Sequence, residues 1–216
     1  MFVPIVLGSL CGLRRGEIAA LRWNEVRFDQ CAIAVTTSVE QTDAGCRDKL
    51  VKTDKARTVA MPAMLVEELK AWKVRQAQEF LRLGIRPDSN TRVVTQPDGS
   101  GYQPRSLTRA TSKFLRGQGH RLTLHGLRHS HASHMLAENI HPKIVQERLG
   151  HSSISVTMDI YSHLMPNMQA DAAAKVAKLN EEAVRIAREV TLPIAAELAP
   201  LADQIAEFAK HGVEEQ

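Results

Sequence analysis

At 216 residues the chain can bury one sizeable core with a short appendage, which excludes an array of independent domains. Its 28 basic and 24 acidic residues are unevenly placed: 23 and 15 precede Pro166, while 5 and 9 follow from there, so a body at +8 adjoins a tail at −4. A basic body suits a polyanionic partner. Cys11, Cys31 and Cys46 form no CxxC pair and leave an odd count, which argues against a disulfide framework or a thiolate zinc site and for a reducing, cytoplasmic setting. The apolar start from Met1 to Leu13 has no basic residue before it. As a helix it spans roughly 20 Å against about 30 Å of membrane hydrocarbon, so it reads as a core helix and not as a membrane span or leader.

In chain order, Met1 to Leu10 predicts a buried helix broken at Cys11 and Gly12, and a second helix carries Glu17, Ile18, Leu21 and Trp23. A chain that opens inside a core in this way predicts that an N-terminal portion is absent. From Val26 to Val39, alternation at Ile33, Val35, Thr37 and Val39 predicts a strand, and Arg57 to Met61 another, with Lys52 beside the polar turn Thr53-Asp54-Lys55-Ala56. A small antiparallel sheet follows. After Pro62, Leu65, Leu69, Trp72 and Val74 mark a helix that stops near Gly84. Val93 and Val94 predict a brief strand before the Pro97-Asp98-Gly99 turn. Helices are expected at Ser106–Leu115, His125–Ala137, Pro142–Leu149 with Gly150 as cap, and Ser152–Asp159, leaving Tyr161 just past the last. The fold class is thus α+β, mainly α. In the tail, Ala172, Val176, Leu179, Ala183, Ile186 and Val190, then Ile194, Leu198, Leu201, Ile205 and Phe208, give two helices one apolar stripe each, to pack on their own domain or on a partner protomer.

Breaking a phosphodiester without metal requires a nucleophile, cations facing the non-bridging oxygens and an acid for the leaving alkoxide. A tyrosine hydroxyl titrates near 10, so its phenolate costs about 4 kcal/mol at pH 7 unless cations and a base share the work. His125 and Arg128 stand three apart and share a face if helical. Gly150-His151 follows a helix, and Tyr161 lies ten residues on. Arg14 opens a helix with Glu17 one turn away, placed to hold its guanidinium, though Arg15 competes for the same part. His125, His129, His131 and His134 crowd one helix and raise a metal-site alternative, against which no HExxH occurs.

Three segments, "GLRRGEIAALRW", "LHGLRHSHASHML" and "LGHSSISVTMDIYSH", resemble in order the motifs of the tyrosine recombinases, also called the phage integrase family. The resemblance covers about Met1 to His163. It implies Arg14 and Arg128 as a phosphate clamp, His125 as base or proton shuttle, and Lys52, in a β-hairpin, as general acid toward the 5′-oxygen. It further implies His151 as a second phosphate-binding histidine and Tyr161 as the nucleophile of a 3′-phosphotyrosine link. The family needs no metal and no nucleotide cofactor, acts on double-stranded DNA and assembles as a tetramer on it. Residues 1–165 are then an N-terminally truncated catalytic domain lacking the core-binding domain, and residues 166–216 a helical C-terminal extension. Rival readings are a catalytically silent DNA-binding remnant of a mobile-element integrase, a histidine-rich metalloenzyme and a type IB topoisomerase.

Overall fold

The computed structural model describes residues 1–42, 45–51 and 56–164, and beyond them 172–178, 180, 181, 185 and 189. Helix α1 (Phe2–Cys11) buries Val3, Leu7 and Cys11 and stops at Gly12, whose φ of 64° is left-handed. Helix α2 (Arg15–Ala20) is shorter than its periodicity predicts: Trp23 lies in a 3-10 turn (Trp23–Glu25). The cause is tertiary. The Arg22 N–H is taken by Glu25 Oε2 at 2.9 Å, Trp23 N–H donates to the Thr91 carbonyl, and the Leu21 carbonyl accepts from Val93 N–H, so the chain leaves the helix to pair with a distant loop.

The segment expected as one strand is three. Strands β1 (Val26–Arg27), β2 (Ala32–Val35) and β5 (Arg57–Ala60) form an antiparallel sheet in the order β1-β2-β5, with Ile33 opposite both Val26 and Val59. β2 is buried at every residue because it lies between two neighbours and against the core. β3 (Thr37–Thr42) pairs with β4 (Gly45–Leu50) as a separate hairpin. β4 is exposed at all six positions, so no apolar alternation announced it. Asp48 ties the hairpin to the body by ion pairs to Arg22 at 2.8 Å and Arg92 at 2.7 Å.

Helix α3 (Ala63–Arg82) buries Leu65, Val66, Leu69 and Phe80, and Val74, expected inside, faces solvent. Gln76 takes the inner position. Its Oε1 accepts from Trp23 Nε1 at 2.7 Å and its Nε2 donates to Thr95 Oγ1 at 3.1 Å, so the buried amide is fully engaged. Val93 and Val94 are buried but form no strand; only single bridges, Arg22 with Arg92 and Thr95 with Gly101, flank them.

Helices α4 (Pro104–Gly117), α5 (Leu124–Ala137), α6 (Pro142–Leu149) and α7 (Ile154–Leu164) complete the body. The main core joins α1, the three-stranded sheet and α3 to Leu107, Leu115, Leu124 and Leu127. A satellite core of Ala132, Leu136, Val145 and Leu149 receives Ile160 from α7. Ser153 Oγ accepts from Ser155 N–H at 3.1 Å, which starts α7 after the expected Ser152. Docking of Ile160 carries the helix onward through Leu164, so Tyr161 lies inside α7 and not beyond a helix end.

The chain divides into two compact units, Met1–Leu164 and Met165–Gln216. In the second, residues 172–178 are helical; Leu179, Ala183, Ile186, Val190 and the later stripe residues lie outside the described residues. Among the described residues no helix is long and apolar enough to cross a membrane.

A Cβ on Gly12 would stand 2.5 Å from Leu149 Cδ2 and 2.8 Å from His131 Cδ2, in a left-handed backbone that costs a side chain about 1–2 kcal/mol even in open space. Gly12→Ala is therefore expected to destabilise the body by roughly 2 kcal/mol or more, read as a lower denaturant midpoint at unchanged slope. A midpoint within error of the parent would mean that α1 ends without strain.

Candidate active site

Glu17 is the third residue of α2, where its carboxylate can reach back to the helix start. Oε2 accepts from the Arg14 backbone N–H at 2.7 Å, and Oε1 from Arg14 Nη1 at 2.9 Å. Arg57, at the start of β5, donates Nη1 and Nη2 to the same two oxygens at 2.9 and 2.8 Å, a bidentate fork. Glu17 is 4% exposed. Burial alone would raise its pKa, but the Arg57 hydrogen bonds and charge, helped by Arg14, overcome it and bring the carboxyl down to about 2.

Helix ends supply the other partners. Arg14 Nη2 donates to the Gly150 carbonyl, Arg57 Nε to the Arg148 carbonyl at 2.7 Å, and Arg128 to the carbonyls of Gly12 and of Leu149, the latter at 2.9 Å. These are the unpaired carbonyls at the C-termini of α1 and α6, where the helix dipole favours cations. Gly150, at φ 67°, closes α6 and lies so near Arg57 that a Cβ would meet its Nη1 at 2.9 Å. Arg128 is 7% exposed; burial first, and then the charge of Arg14, lower its pKa to about 9, which leaves it protonated at neutral pH. Three guanidiniums set against one carboxylate leave the cluster net cationic.

The cluster opens on a cavity of about 620 Å³ whose walls include Arg14, Arg15, His125, Arg128, His151 and Thr108. His125 comes from the first turn of α5 and His151 from the residue after the α6 cap. His151 Nδ1 lies 2.8 Å from Thr157 Oγ1. Burial, followed by the charges of Arg128, Arg14 and Arg57, lowers its pKa to about 4, so the ring is neutral at pH 7. Of the six residues singled out from the sequence, Arg14, His125, Arg128 and His151 meet here. Tyr161 belongs to α7 by its backbone, its side chain lying outside what the structure describes, and Lys52 lies outside the described residues.

Of Arg14 and Arg15, Arg14 is the anchored one, with three partnered nitrogens, whereas Arg15 is exposed at the cavity rim. The α5 histidines do not converge. His131 accepts from Arg148 Nε at 3.1 Å, His129 and His134 are exposed, and no three His, Cys, Asp or Glu side chains among the described residues gather as a metal site. Sequence reasoning passed over Arg57 and Thr157. Arg57 had a signal, because it sits two residues before buried Val59 and so on the inner face of β5, where an arginine needs a partner. Thr157 stands three residues before Ile160, on the packed side of α7, and is fully buried.

Because the Glu17 pKa is depressed by folding, its contribution to stability is complete above about 4.5 and is lost as pH falls through about 2. Glu17→Gln is expected to cost roughly 3–5 kcal/mol at pH 7, since the guanidiniums lose their counter-charge, and to flatten the acid limb of stability between those pH values. Equilibrium unfolding of both proteins from pH 2 to 7 checks this; parallel curves would remove Glu17 from the linkage.

Residues 5–168 match the model of the phage integrase family. The chain is 30% identical over 175 residues to the XerC-like tyrosine recombinase of Caldanaerobacter subterraneus subsp. tengcongensis, covering 74% of this chain and 45% of that protein. It is 31% identical over 169 residues to the ICEBs1 integrase of Bacillus subtilis, covering 77% and 46%. The chain thus spans about half the length of the curated relatives it matches. Among solved structures, the Tn1549 transposon integrase in complex with circular intermediate DNA superposes with a TM-score of 0.66 at 20% identity, over 82% of this chain and 58% of that one. XerA recombinase does so at 0.58 and 23%, over 81% and 57%. At these identities the structures establish a common fold, and the sequence match over residues 5–168 establishes descent: the chain belongs to the phage integrase family, the tyrosine recombinases.

Proposed function

We propose that residues 1–165 are the catalytic domain of a site-specific DNA recombinase or integrase that cuts and rejoins strands through Tyr161, and that residues 166–216 extend it. The observation that carries this reading is the net cationic cavity in which Arg14, Arg128, His125 and His151 meet, beside the helix that bears Tyr161. A phosphodiester carries one negative charge, and the five-coordinate state formed on attack carries two. A site with excess fixed positive charge therefore binds the transition state better than the ground state. Arg14 and Arg128 face the non-bridging oxygens and His151 donates a hydrogen bond to one of them. His125 takes or relays the Tyr161 proton as the phenolic oxygen bonds to phosphorus. The P–O5′ bond breaks, Lys52 protonates the leaving 5′-oxygen, and a 3′-phosphotyrosine remains. The reverse step, with the 5′-hydroxyl of another strand, restores the diester and completes exchange. The bond energy is conserved, so the scheme requires no nucleotide cofactor. Double-stranded DNA is the partner, a tetramer on DNA the assembly and the cytoplasm the setting.

The DNA track is supported by α4. Arg105, Arg109, Lys113 and Arg116 fall within about 80° of arc on its exposed side, and among the described residues none of the four is ion-paired. Thr108, on the same helix, lines the cavity, so the stripe leads away from the site of chemistry. Unpaired cations in a row fit successive phosphates.

Two measurements test this reading. On a nicked suicide substrate, from which the freed 5′ end diffuses away, the chain is expected to form a covalent adduct in the presence of chelator and Tyr161→Phe to form none. The assay is run on DNA flanking the gene, with this chain and with a longer one including residues encoded upstream. An adduct that requires metal or survives in the Phe variant would overturn the mechanism. Absence of adduct on DNA that both chains bind would reduce the function to DNA binding. Separately, Arg109→Gln with Lys113→Gln should reduce the slope of log affinity against log salt by about two, with similar weakening on all sequences. An unchanged slope would place the DNA elsewhere.

A further inference from the structure

Thr157 is fully buried in α7, and among the described residues His151 Nδ1, at 2.8 Å, is the single hydrogen-bond partner of its hydroxyl. A hydroxyl offers one proton and two lone pairs, while a neutral imidazole has one N–H and one bare nitrogen. Two arrangements of this pair are possible. If the ring carries its proton on Nδ1, that N–H donates to Oγ1 and the threonine proton is left buried with no acceptor, which folded proteins avoid. If the ring carries its proton on Nε2, Thr157 donates to bare Nδ1 and the Nε2–H is left to the cavity that His151 lines. The second arrangement leaves nothing buried and unpaired.

We infer that Thr157 is a positioning residue that fixes His151 in the Nε2–H tautomer, so that His151 presents the cavity with a hydrogen-bond donor and not with a base. The backbone of His151 is held as firmly as its ring. Its N–H donates to the Gln146 carbonyl at 3.0 Å in the α6 cap, so the ring is carried on a fixed main chain. Burial first, and then the charges of Arg128, Arg14 and Arg57, oppose a second proton and keep the ring in the neutral form for which a tautomer is defined. Thr157 also precedes Tyr161 by one helical turn, so the same bond ties His151 to the helix carrying that residue. What the donor does during cleavage rests on the phosphate reading proposed above; the tautomer does not.

Long-range proton–nitrogen correlation spectra of the whole chain at pH 7, with His151 assigned through His151→Gln, read the tautomer directly. The parent and Thr157→Ser are expected to show protonated Nε2 and bare Nδ1, and Thr157→Val, which keeps the shape and loses the hydroxyl, a mixture of tautomers. Protonated Nδ1 in the parent, or a Val variant with the parent's tautomer, would overturn the inference; the parent spectrum decides even if the Val variant fails to fold. In single-turnover cleavage of the suicide substrate, Thr157→Val is expected to be about tenfold slower, with DNA affinity within twofold of the parent and recovery in Thr157→Ser. Equal rates in all three would overturn the positioning role. If no chain cleaves, the recombinase reading fails while the tautomer result stands on its own.

Discussion

Glu17 is the constraint on which the rest depends. A buried carboxylate between two guanidiniums is costly to desolvate and more costly to leave half paired, so α2 and β5 are locked together through Arg14 and Arg57. From that point the contacts radiate outward. Arg14 reaches the end of α6 at Gly150, Arg57 reaches Arg148 two residues earlier, and Arg128 spans from Leu149 to Gly12. Four segments far apart in the chain meet at a few carbonyls and one carboxylate. What remains after this pairing is surplus positive charge facing a cavity, the state in which an anionic ligand is most useful.

The satellite core performs a second task. Leu149 packs with Ala132, Leu136 and Val145, and its carbonyl accepts from Arg128. Ile160 docks on the same cluster one residue before Tyr161. Apolar burial and guanidinium anchoring therefore share a backbone, so the helix bearing Tyr161 and the guanidinium of Arg128 are registered against a single packed group. Thr157 adds a polar tie between α7 and His151 at the same boundary.

Much of this is legible in the amino-acid sequence. The helices of the C-terminal half appear in the sequence because their caps are local: Pro at the start and glycine at the end of α6 act within a turn. The sheet was less legible. β4 has no buried face, and the strand expected from Val26 to Val39 is interrupted where the chain turns at 28–31 and at Thr36, breaks whose causes lie in pairing with β5 and with β4. Val74 faces solvent and Gln76 is buried, because a buried amide becomes acceptable once Trp23 and Thr95 stand opposite it. Tyr161 was displaced from a helix end to a helix interior by the docking of Ile160.

The sequence by itself determined the family, the order of the motifs and four residues that come to line one cavity, because those depend on residue type and on spacing within each motif. Only the tertiary structure decided which of Arg14 and Arg15 is anchored, that Arg57 belongs to the cluster, and which group meets the ring of His151. Each of those outcomes depends on a partner 6 to 136 residues away, and spacing along the chain carries no information about a contact that exists only after the core has closed.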